Sequence, residues 1–153
     1  MPMLERAVRL RWCMPPSRAL PERMIKLMGY RIGKMFRFDA AHHLPSLPPE
    51  HKCSREHGHT YTVEVVLTAD RLVSPGFVTD YGDLWPLRDY IETTLDHRNL
   101  NMVLDFEPTS EALAHHLAEW FCEHVEPTIP GRLESMRIWE TPSSWAEFIP
   151  EEP

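Results

Sequence analysis

The sequence predicts an α+β fold in which two helices cover one face of a four-stranded antiparallel sheet. Two early segments and two late segments alternate apolar and polar residues, as half-buried strands do. Between them, two segments repeat their apolar residues at the spacing of an amphipathic helix. The chain has 153 residues, the size of one domain, and 42% of them are hydrophobic, which is enough for a core.

The first predicted strand covers residues 31–41, and the second covers residues 57–69. A proline-containing loop joins them and carries Cys53. One face of the first strand comprises Phe36, Phe38, Ala40 and His42. The matching face of the second strand comprises His57, His59, Tyr61, Val63, Val65 and Leu67. Both faces are predominantly apolar, so we expect them to be buried.

The first predicted helix begins after Asp80, whose carboxylate can cap the helix, and ends near Leu95. Its apolar stripe comprises Leu84, Leu87, Ile91 and Leu95. The second helix is indicated by the N-terminal pattern Pro108-Thr109-Ser110-Glu111, and Pro127 and Pro130 end it. Its apolar face comprises Leu113, Leu117, Trp120, Phe121 and Val125.

The last two predicted strands cover residues 133–141 and 145–149, the second of them at the sheet edge. Glu140 shares a face with Met136 and Ile138, so its carboxylate should be at least partly buried. A buried acid needs hydrogen-bond donors, and a ring edge with adjacent N–H and NH₂ groups would supply two. The alternative is that Glu140 is a rim acid on an edge strand.

Three histidines on these strands predict a metal site. Side chains at i and i+2 of a strand share a face, with Cα atoms about 6–7 Å apart, so His57 and His59 can reach one ion. His42 has the matching parity, whereas His43 should face solvent. Three histidines with an open fourth position are typical of a catalytic zinc site. The alternative is that the two histidines around Gly58 are a chance pair.

Cys53 is a candidate base or nucleophile, because the nearby cations Lys52 and Arg55 favour a reactive thiolate. It could instead be a fourth zinc ligand or an ordinary loop thiol. Asp96 and His97 follow the first helix, and an Asp beside a His can hold the imidazole as a proton relay. The second helix carries three histidines that we interpret as surface or interface residues: His115, His116 and His124.

The composition argues against several classes of protein. A net charge of −7 argues against a nucleic-acid partner. Three cysteines are too few and odd in number for a disulfide framework, so a reducing cytoplasmic location is expected. No apolar run approaches the length of a membrane span, and no signal peptide is visible, so no membrane partner is expected.

Residues 1–27 differ from the rest of the chain. They carry six Lys or Arg against two Glu and contain four prolines, whereas the remainder is strongly acidic. This segment could be a disordered tail, a basic interaction arm, or upstream sequence joined by an early start codon. We favour the third interpretation, with Met28 as the natural start and residues 28–153 as the domain.

Five motifs together resemble the 6-pyruvoyltetrahydropterin synthase superfamily, most closely its queuosine-pathway branch of 6-carboxytetrahydropterin synthases. They are Phe38-Asp39-Ala40-Ala41-His42, Cys53-x3-His57-Gly58-His59, Leu95-Asp96-His97-x2-Leu100-Asn101, Pro108-Thr109-Ser110-Glu111 and Glu140-Thr141. The resemblance covers residues 31–149. The short gap between Cys53 and His57 resembles the carboxy branch, and His43 stands where the family commonly has an arginine.

The resemblance implies the tunnelling fold (T-fold), in which subunits join their sheets into a β-barrel and usually form a homo-hexamer with shared active sites. It implies a zinc ion on His42, His57 and His59. It also implies Cys53 as the proton acceptor and Glu140 as the anchor of the pterin ring. The remaining implied site residues are a relay from a neighbouring subunit, Asp96 and His97, and two pocket residues, Thr109 and Ser110.

The implied reaction converts 7,8-dihydroneopterin triphosphate into 6-carboxy-5,6,7,8-tetrahydropterin, acetaldehyde and triphosphate. Zinc would acidify the substrate side chain, and Cys53 would take the C1′ proton, with no redox cofactor. Lys52, Arg55 or Arg98 could meet the triphosphate. The alternatives are a pyruvoyl-type synthase, which eliminates triphosphate without cleaving the side chain, and a non-catalytic zinc-containing pterin-binding protein. The product could serve queuosine or another 7-deazapurine pathway.

Overall fold

A long two-stranded hairpin forms the centre of the fold. Strand β1 (Tyr30–His42) pairs antiparallel with β2 (His57–Ala69) over its whole length, with His42 opposite His57 at the loop end. The computed structural model describes residues 29–151. The predicted bounds of β2 are confirmed, and β1 is one residue longer at each end than predicted.

The sheet has five strands in the order β3-β1-β2-β4-β5. Strands β4 (Arg132–Thr141) and β5 (Ser144–Phe148) extend the hairpin on the β2 side by antiparallel pairing. Strand β3 (Arg98–Asn99) pairs parallel with β1 on the other side, opposite Ala40 and Ala41. The prediction of four antiparallel strands therefore missed β3, because a strand of two residues carries no readable alternation.

The first helical segment changes its geometry twice along its length. A 3₁₀ turn (Tyr81–Leu84) leads into helix α1 (Trp85–Tyr90), and a π-helical turn (Ile91–Leu95) ends the segment. Asp80 caps it as predicted, because its Oδ1 accepts the N–H of Gly82 at 2.8 Å. The predicted apolar stripe is fully buried: Leu84, Leu87, Ile91 and Leu95.

Two more helices follow. The short helix α2 (Leu100–Val103) was not predicted from the sequence. The long helix α3 (Ser110–His124) was predicted, and a 3₁₀ turn (Glu126–Thr128) containing Pro127 follows it. None of the helices within residues 29–151 is long and apolar enough to span a membrane.

The core lies between the helices and the face of the sheet that the alternation predicted to be buried. Tyr61, Val63, Val65 and Leu67 of β2 are all inaccessible to solvent. Each large apolar side chain buried in this way stabilises the fold by about 1.5–3 kcal/mol. The same face continues past the core to His42, which is also buried. The predicted leader of residues 1–27 and the boundary at Met28 lie outside the described residues.

Candidate metal centre and active site

Three histidine side chains meet at the loop end of the β1–β2 hairpin. His42 and His57 face each other in the strand register, and their Nε2 atoms are 3.1 Å apart. The ring of His59 lies across both, with centroids 5.2 Å from that of His42 and 4.9 Å from that of His57. One donor atom from each of the three lies within 4.8 Å of the others. The hairpin thus brings the three predicted ligands together.

Backbone carbonyls orient two of these rings. The Nδ1 of His42 lies 2.8 Å from the carbonyl oxygen of Pro108, and the Nδ1 of His57 lies 2.8 Å from that of Arg55. A neutral imidazole that donates through Nδ1 presents a lone pair at Nε2. The buried Nε2 of His59 has no hydrogen-bond partner among the described residues. The Nε2 atoms of the three rings thus lie close together, which fits a metal ion such as zinc, since zinc binds imidazole nitrogen at about 2.0–2.1 Å.

The surroundings of His42 and His59 favour the neutral, metal-binding form of these two side chains. Burial lowers the pKa of His42, and the neighbouring His57 acts in the same direction. Burial also lowers the pKa of His59, against the opposing effect of the Glu140 carboxylate. A metal displaces a proton from each ligand, so a lowered pKa reduces that competition near neutral pH.

Glu140 stands beside the three histidines. Its Oε1 is 3.4 Å from the Nε2 of His59 and 3.5 Å from the Nε2 of His42. Among the described residues, the group whose metal-binding atoms all lie close to one another consists of His42, His57 and His59. Neither Glu140 nor Cys53 belongs to it. The carboxylate therefore adjoins the metal position, because two ligands of one zinc ion bound at about 2.2 Å or less lie up to about 4.4 Å apart.

Tyr61 is a polar residue of this site that the sequence interpretation treated only as core. Its ring contacts those of His42 and His59 edge-on, with centroids 5.9 and 5.4 Å away. Burial raises the pKa of Tyr61, and the Glu140 carboxylate raises it further. Its hydroxyl is buried with no partner among the described residues. The sequence did contain a signal for this role, because Tyr61 carries a hydroxyl and lies on the same strand face as His59.

Cys53 lies in a 3₁₀ turn (Lys52–Ser54) of the loop that joins β1 to β2. Its N–H donates to the Nδ1 of His51 at 3.1 Å, and its carbonyl oxygen accepts the N–H of Leu44 at 2.8 Å. These bonds hold the backbone on both sides of a half-buried thiol. The loop therefore presents Cys53 near the end of the hairpin, outside the group of three histidines.

Asp96 and His97 form a pair on the other face of β1. The Oδ2 of Asp96 is 2.9 Å from the Nδ1 of His97, and its Oδ1 accepts the N–H of Asp39 at 2.8 Å. The bond from Asp39 holds the pKa of Asp96 below its usual range. Asp39 is exposed whereas His42 is buried, so the pair lies on the solvent-facing side of β1, where His97 and His59 line one open pocket. His97 adopts a left-handed backbone conformation, with φ of 55°.

Thr109 and Ser110 lie at the start of α3, next to the carbonyl of Pro108 that orients His42. The hydroxyl of Thr109 caps the helix by accepting the N–H of Ala112 at 3.1 Å. The hydroxyl of Ser110 is buried and has no partner among the described residues. Of the two, Ser110 therefore has the side chain that is available to a ligand.

The other histidines are placed differently. The backbone of His43 is hydrogen-bonded to Asn101, and its side chain is not part of the metal group. His115 pairs with Glu119 on the surface of α3, and His124 stacks on Trp120. His116 is the one that packs inward, where its Nε2 lies 2.7 Å from the hydroxyl of Tyr90.

The family model described as 6-pyruvoyl tetrahydropterin synthase matches residues 31–151. The chain belongs to the 6-pyruvoyl tetrahydropterin synthase family. Family membership confirms the resemblance that the motifs indicated. It also identifies the chain as an enzyme of a family that acts on pterins. The histidine group, with its capacity for a metal, thus belongs to a pterin-processing fold.

Two relatives of this chain are named for different activities. The chain is 39% identical over 124 residues to a 6-carboxy-5,6,7,8-tetrahydropterin synthase of Synechocystis sp., covering 77% of this chain and 92% of the relative. It is 34% identical over 115 residues to a dihydroneopterin monophosphate aldolase of Pyrococcus furiosus, covering 74% and 91%.

Solved structures of other proteins share the fold of this chain. The 6-pyruvoyl tetrahydropterin synthase of Caenorhabditis elegans superposes with a TM-score of 0.69 at 26% identity, covering 80% of this chain and 96% of that one. A Wolinella succinogenes protein superposes with a TM-score of 0.73 at 24% identity, covering 80% and 99%. The predicted α+β T-fold class is confirmed, with the fifth strand as the difference.

Proposed function

We propose that this protein is a zinc-dependent lyase that converts 7,8-dihydroneopterin triphosphate and water into 6-carboxy-5,6,7,8-tetrahydropterin, acetaldehyde and triphosphate. The observation that carries the proposal is the meeting of His42, His57 and His59 beside Glu140, in a member of a pterin-processing family. The identity to a named carboxy synthase over most of both chains supports this product. The proposed setting is cytoplasmic queuosine or other 7-deazapurine biosynthesis.

The proposed roles follow from the chemistry of each group. A zinc ion on the three histidines would supply a Lewis acid for the hydroxyls of the substrate side chain. Glu140 anchors the pterin ring by accepting its N–H and NH₂ groups through two carboxylate oxygens. Ser110 and Thr109 border the same pocket. Cys53 takes the C1′ proton from the loop above the hairpin, because a thiolate is a competent base at a partly exposed position.

The proposed scheme places Asp96 and His97 in the site of a neighbouring subunit. In one chain they lie on the solvent-facing side of β1, whereas His42 is buried. We propose that they act as the proton relay of a neighbouring subunit's site, in a homo-hexamer built from barrel-forming trimers. In the described chain β3 pairs only with Ala40 and Ala41, so most of β1 offers an open edge. Open edges favour pairing with another chain, and barrel closure removes them.

A second candidate reaction is aldolase cleavage of a dihydroneopterin monophosphate. The observation that favours it is the 34% identity to an enzyme named for that activity. Both candidates use a pterin with a phosphorylated side chain, and both suit a metal beside a ring-anchoring carboxylate. They differ in the phosphate ester that the enzyme accepts.

Product analysis tests the proposal. The zinc-loaded protein is incubated separately with the triphosphate and the monophosphate ester, and the pterins, aldehydes and phosphates released are quantified. We expect acetaldehyde and 6-carboxytetrahydropterin in equal amounts from the triphosphate. Triphosphate release without acetaldehyde would indicate a pyruvoyl-type synthase, and turnover of the monophosphate alone would indicate the aldolase. Tight pterin binding without turnover of either ester would indicate a binding protein.

A further inference from the structure

The strand pairing of the hairpin stops at the first histidine of the metal group. The antiparallel register ends with His42 opposite His57, so the peptide groups of His43 have no strand partner there. The loop beyond, residues 43–56, carries Cys53 and returns to β2. Any group that fixes His43 therefore also fixes the end of β1 on which His42 lies.

Asn101 supplies that group through a two-way hydrogen bond. The N–H of His43 donates to the Oδ1 of Asn101 at 2.9 Å, and the Nδ2 of Asn101 donates to the carbonyl oxygen of His43 at 2.9 Å. A primary amide that bonds both the N–H and the carbonyl oxygen of one residue imitates the next rung of an antiparallel β-ladder. The side chain of Asn101 thus extends the pairing of β1 by one residue.

Asn99 makes a parallel contact at the other end of the loop. Its Nδ2 donates to the Oε2 of Glu56 at 2.6 Å, and Glu56 directly precedes His57. The Oδ1 of Asn99 accepts the N–H of Asn101 at 3.0 Å, which fixes the two asparagines relative to each other. We call Asn99 and Asn101 the asparagine clamp. It contacts the residue after His42 and the residue before His57.

Between these contacts the loop closes on itself, because the N–H of Leu44 donates to the carbonyl oxygen of Cys53 at 2.8 Å. Asn99 of the asparagine clamp is also the last residue of β3, and β3 pairs with Ala40 and Ala41 just before His42. His42 is therefore held from both sides by one short segment, residues 98–101. This segment directly follows Asp96 and His97 in the chain.

We propose that Asn101 is a positioning residue for the metal centre, which holds the Nε2 of His42 toward that of His57 through the backbone of His43. This inference rests on the proposed metal centre. Asn101 does not touch the metal position. Asn101 instead limits the distance between His42 and His57, because the end of β1 could move away from β2 without these last hydrogen bonds. Groups that orient metal ligands typically contribute 10- to 100-fold to metal affinity.

The test compares Asn101→Ala with Met102→Ala in the full chain. Met102 lies in the same short helix and is 84% exposed, so its truncation controls for a change in α2 alone. Zinc affinity is measured by competition with a chelator, and the visible spectrum of the cobalt-substituted protein reports the ligand geometry. We expect zinc affinity to fall about 10-fold or more in Asn101→Ala, with an altered cobalt spectrum, and no change in Met102→Ala.

Asn101→Asp keeps the acceptor for His43 and replaces the donor by a second oxygen, so the side chain remains the same size. We expect it to lose zinc affinity in the same direction as Asn101→Ala, which keeps the test valid if the alanine variant does not fold. Zinc affinity and cobalt spectra that match the unsubstituted chain in both variants would overturn the positioning role. An unsubstituted chain that binds no zinc would instead overturn the metal centre itself.

Discussion

His42 is held at both of its ring nitrogens, which decides what the side chain can do. The carbonyl oxygen of Pro108 accepts a hydrogen bond from Nδ1, and Nε2 faces that of His57 from a fully buried ring. His43, one residue later, has its backbone bonded to Asn101 and its side chain outside the metal group. Neighbours in sequence thus have separate tasks because a strand turns successive side chains to opposite faces.

Metal content should distinguish these two histidines. We expect the unsubstituted chain to bind about one zinc per chain, His43→Ala to retain it, and His42→Ala to lose it, because two remaining imidazoles bind zinc weakly. The measurement is elemental analysis of the purified proteins after dialysis. Full zinc in His42→Ala together with loss in His43→Ala would reverse the assignment.

Cys53 should act in the chemistry and leave the metal in place. We expect Cys53→Ala to keep its zinc and bind the pterin, while kcat falls about 10²- to 10⁴-fold, the usual contribution of a general base. The measurements are zinc content, pterin binding and turnover of the triphosphate ester. Loss of zinc from this variant would make Cys53 a fourth ligand and the site a structural one.

At the scale of elements, the long periodic segments were predictable and the short ones were not. Strand β2 was predicted with its observed bounds. One of its faces is buried, so apolar and polar residues alternate along its whole length. Strand β3 has two residues and helix α2 has four, so each spans only about one period of its pattern and shows no repeat. The predicted stripe through Leu95 could not reveal the π-helical turn, because the same side chains face the core in either geometry.

The site followed the same division. The three histidines could be predicted because alternation along a strand decides which face each side chain occupies. That alternation can be read from neighbouring residues alone. The position of Asp96 and His97 depends on bonds to Asp39, which is 57 residues away from Asp96, and no local pattern encodes such a contact. For the same reason the contacts of Asn99 and Asn101 appear only in three dimensions.

The contact between α1 and α3 should make stability depend on pH. Burial lowers the pKa of His116, whose Nε2 lies near the hydroxyl of Tyr90, with Glu119, Asp105 and His115 nearby. The unfolded chain therefore binds a proton near pH 6.5 that the folded chain resists, so stability falls as pH decreases below about 6.5. We expect the free energy of unfolding of His116→Gln to depend less on pH in this window.

Urea unfolding at a series of pH values provides the measurement. His42 and His59 remain in both proteins, so their own pH dependence cancels in the difference between the two curves. A His116→Gln curve parallel to that of the unsubstituted chain from pH 5 to 7 would show that this histidine contributes nothing to the acid sensitivity.

At the scale of the whole molecule, the proposed enzyme needs its oligomer. If Cys53 and His97 serve one site from two chains, inactive Cys53→Ala and inactive His97→Ala should restore part of the activity when mixed, because some interfaces regain an intact site. The measurement is turnover after co-refolding, with mixed oligomers verified by mass. No rescue in verified mixed oligomers, or a fully active monomer at dilution, would argue against shared sites.

Residues 1–27 should be dispensable. They carry a net charge opposite to that of the remaining chain and contain four prolines. We expect a chain that starts at Met28 to match the full chain in Tm and in turnover. A large decrease in either quantity would show that the segment contributes to the fold.

The register of the hairpin has a consequence for how the protein matures. Because His42 and His57 are direct cross-strand partners, a slip of one residue between β1 and β2 would turn one histidine away from the other. A misaligned hairpin therefore cannot assemble the three-nitrogen site, and metal added during folding stabilises only the aligned form. Metal binding would then favour chains whose β1 and β2 are paired in the correct register over chains whose hairpin is misaligned.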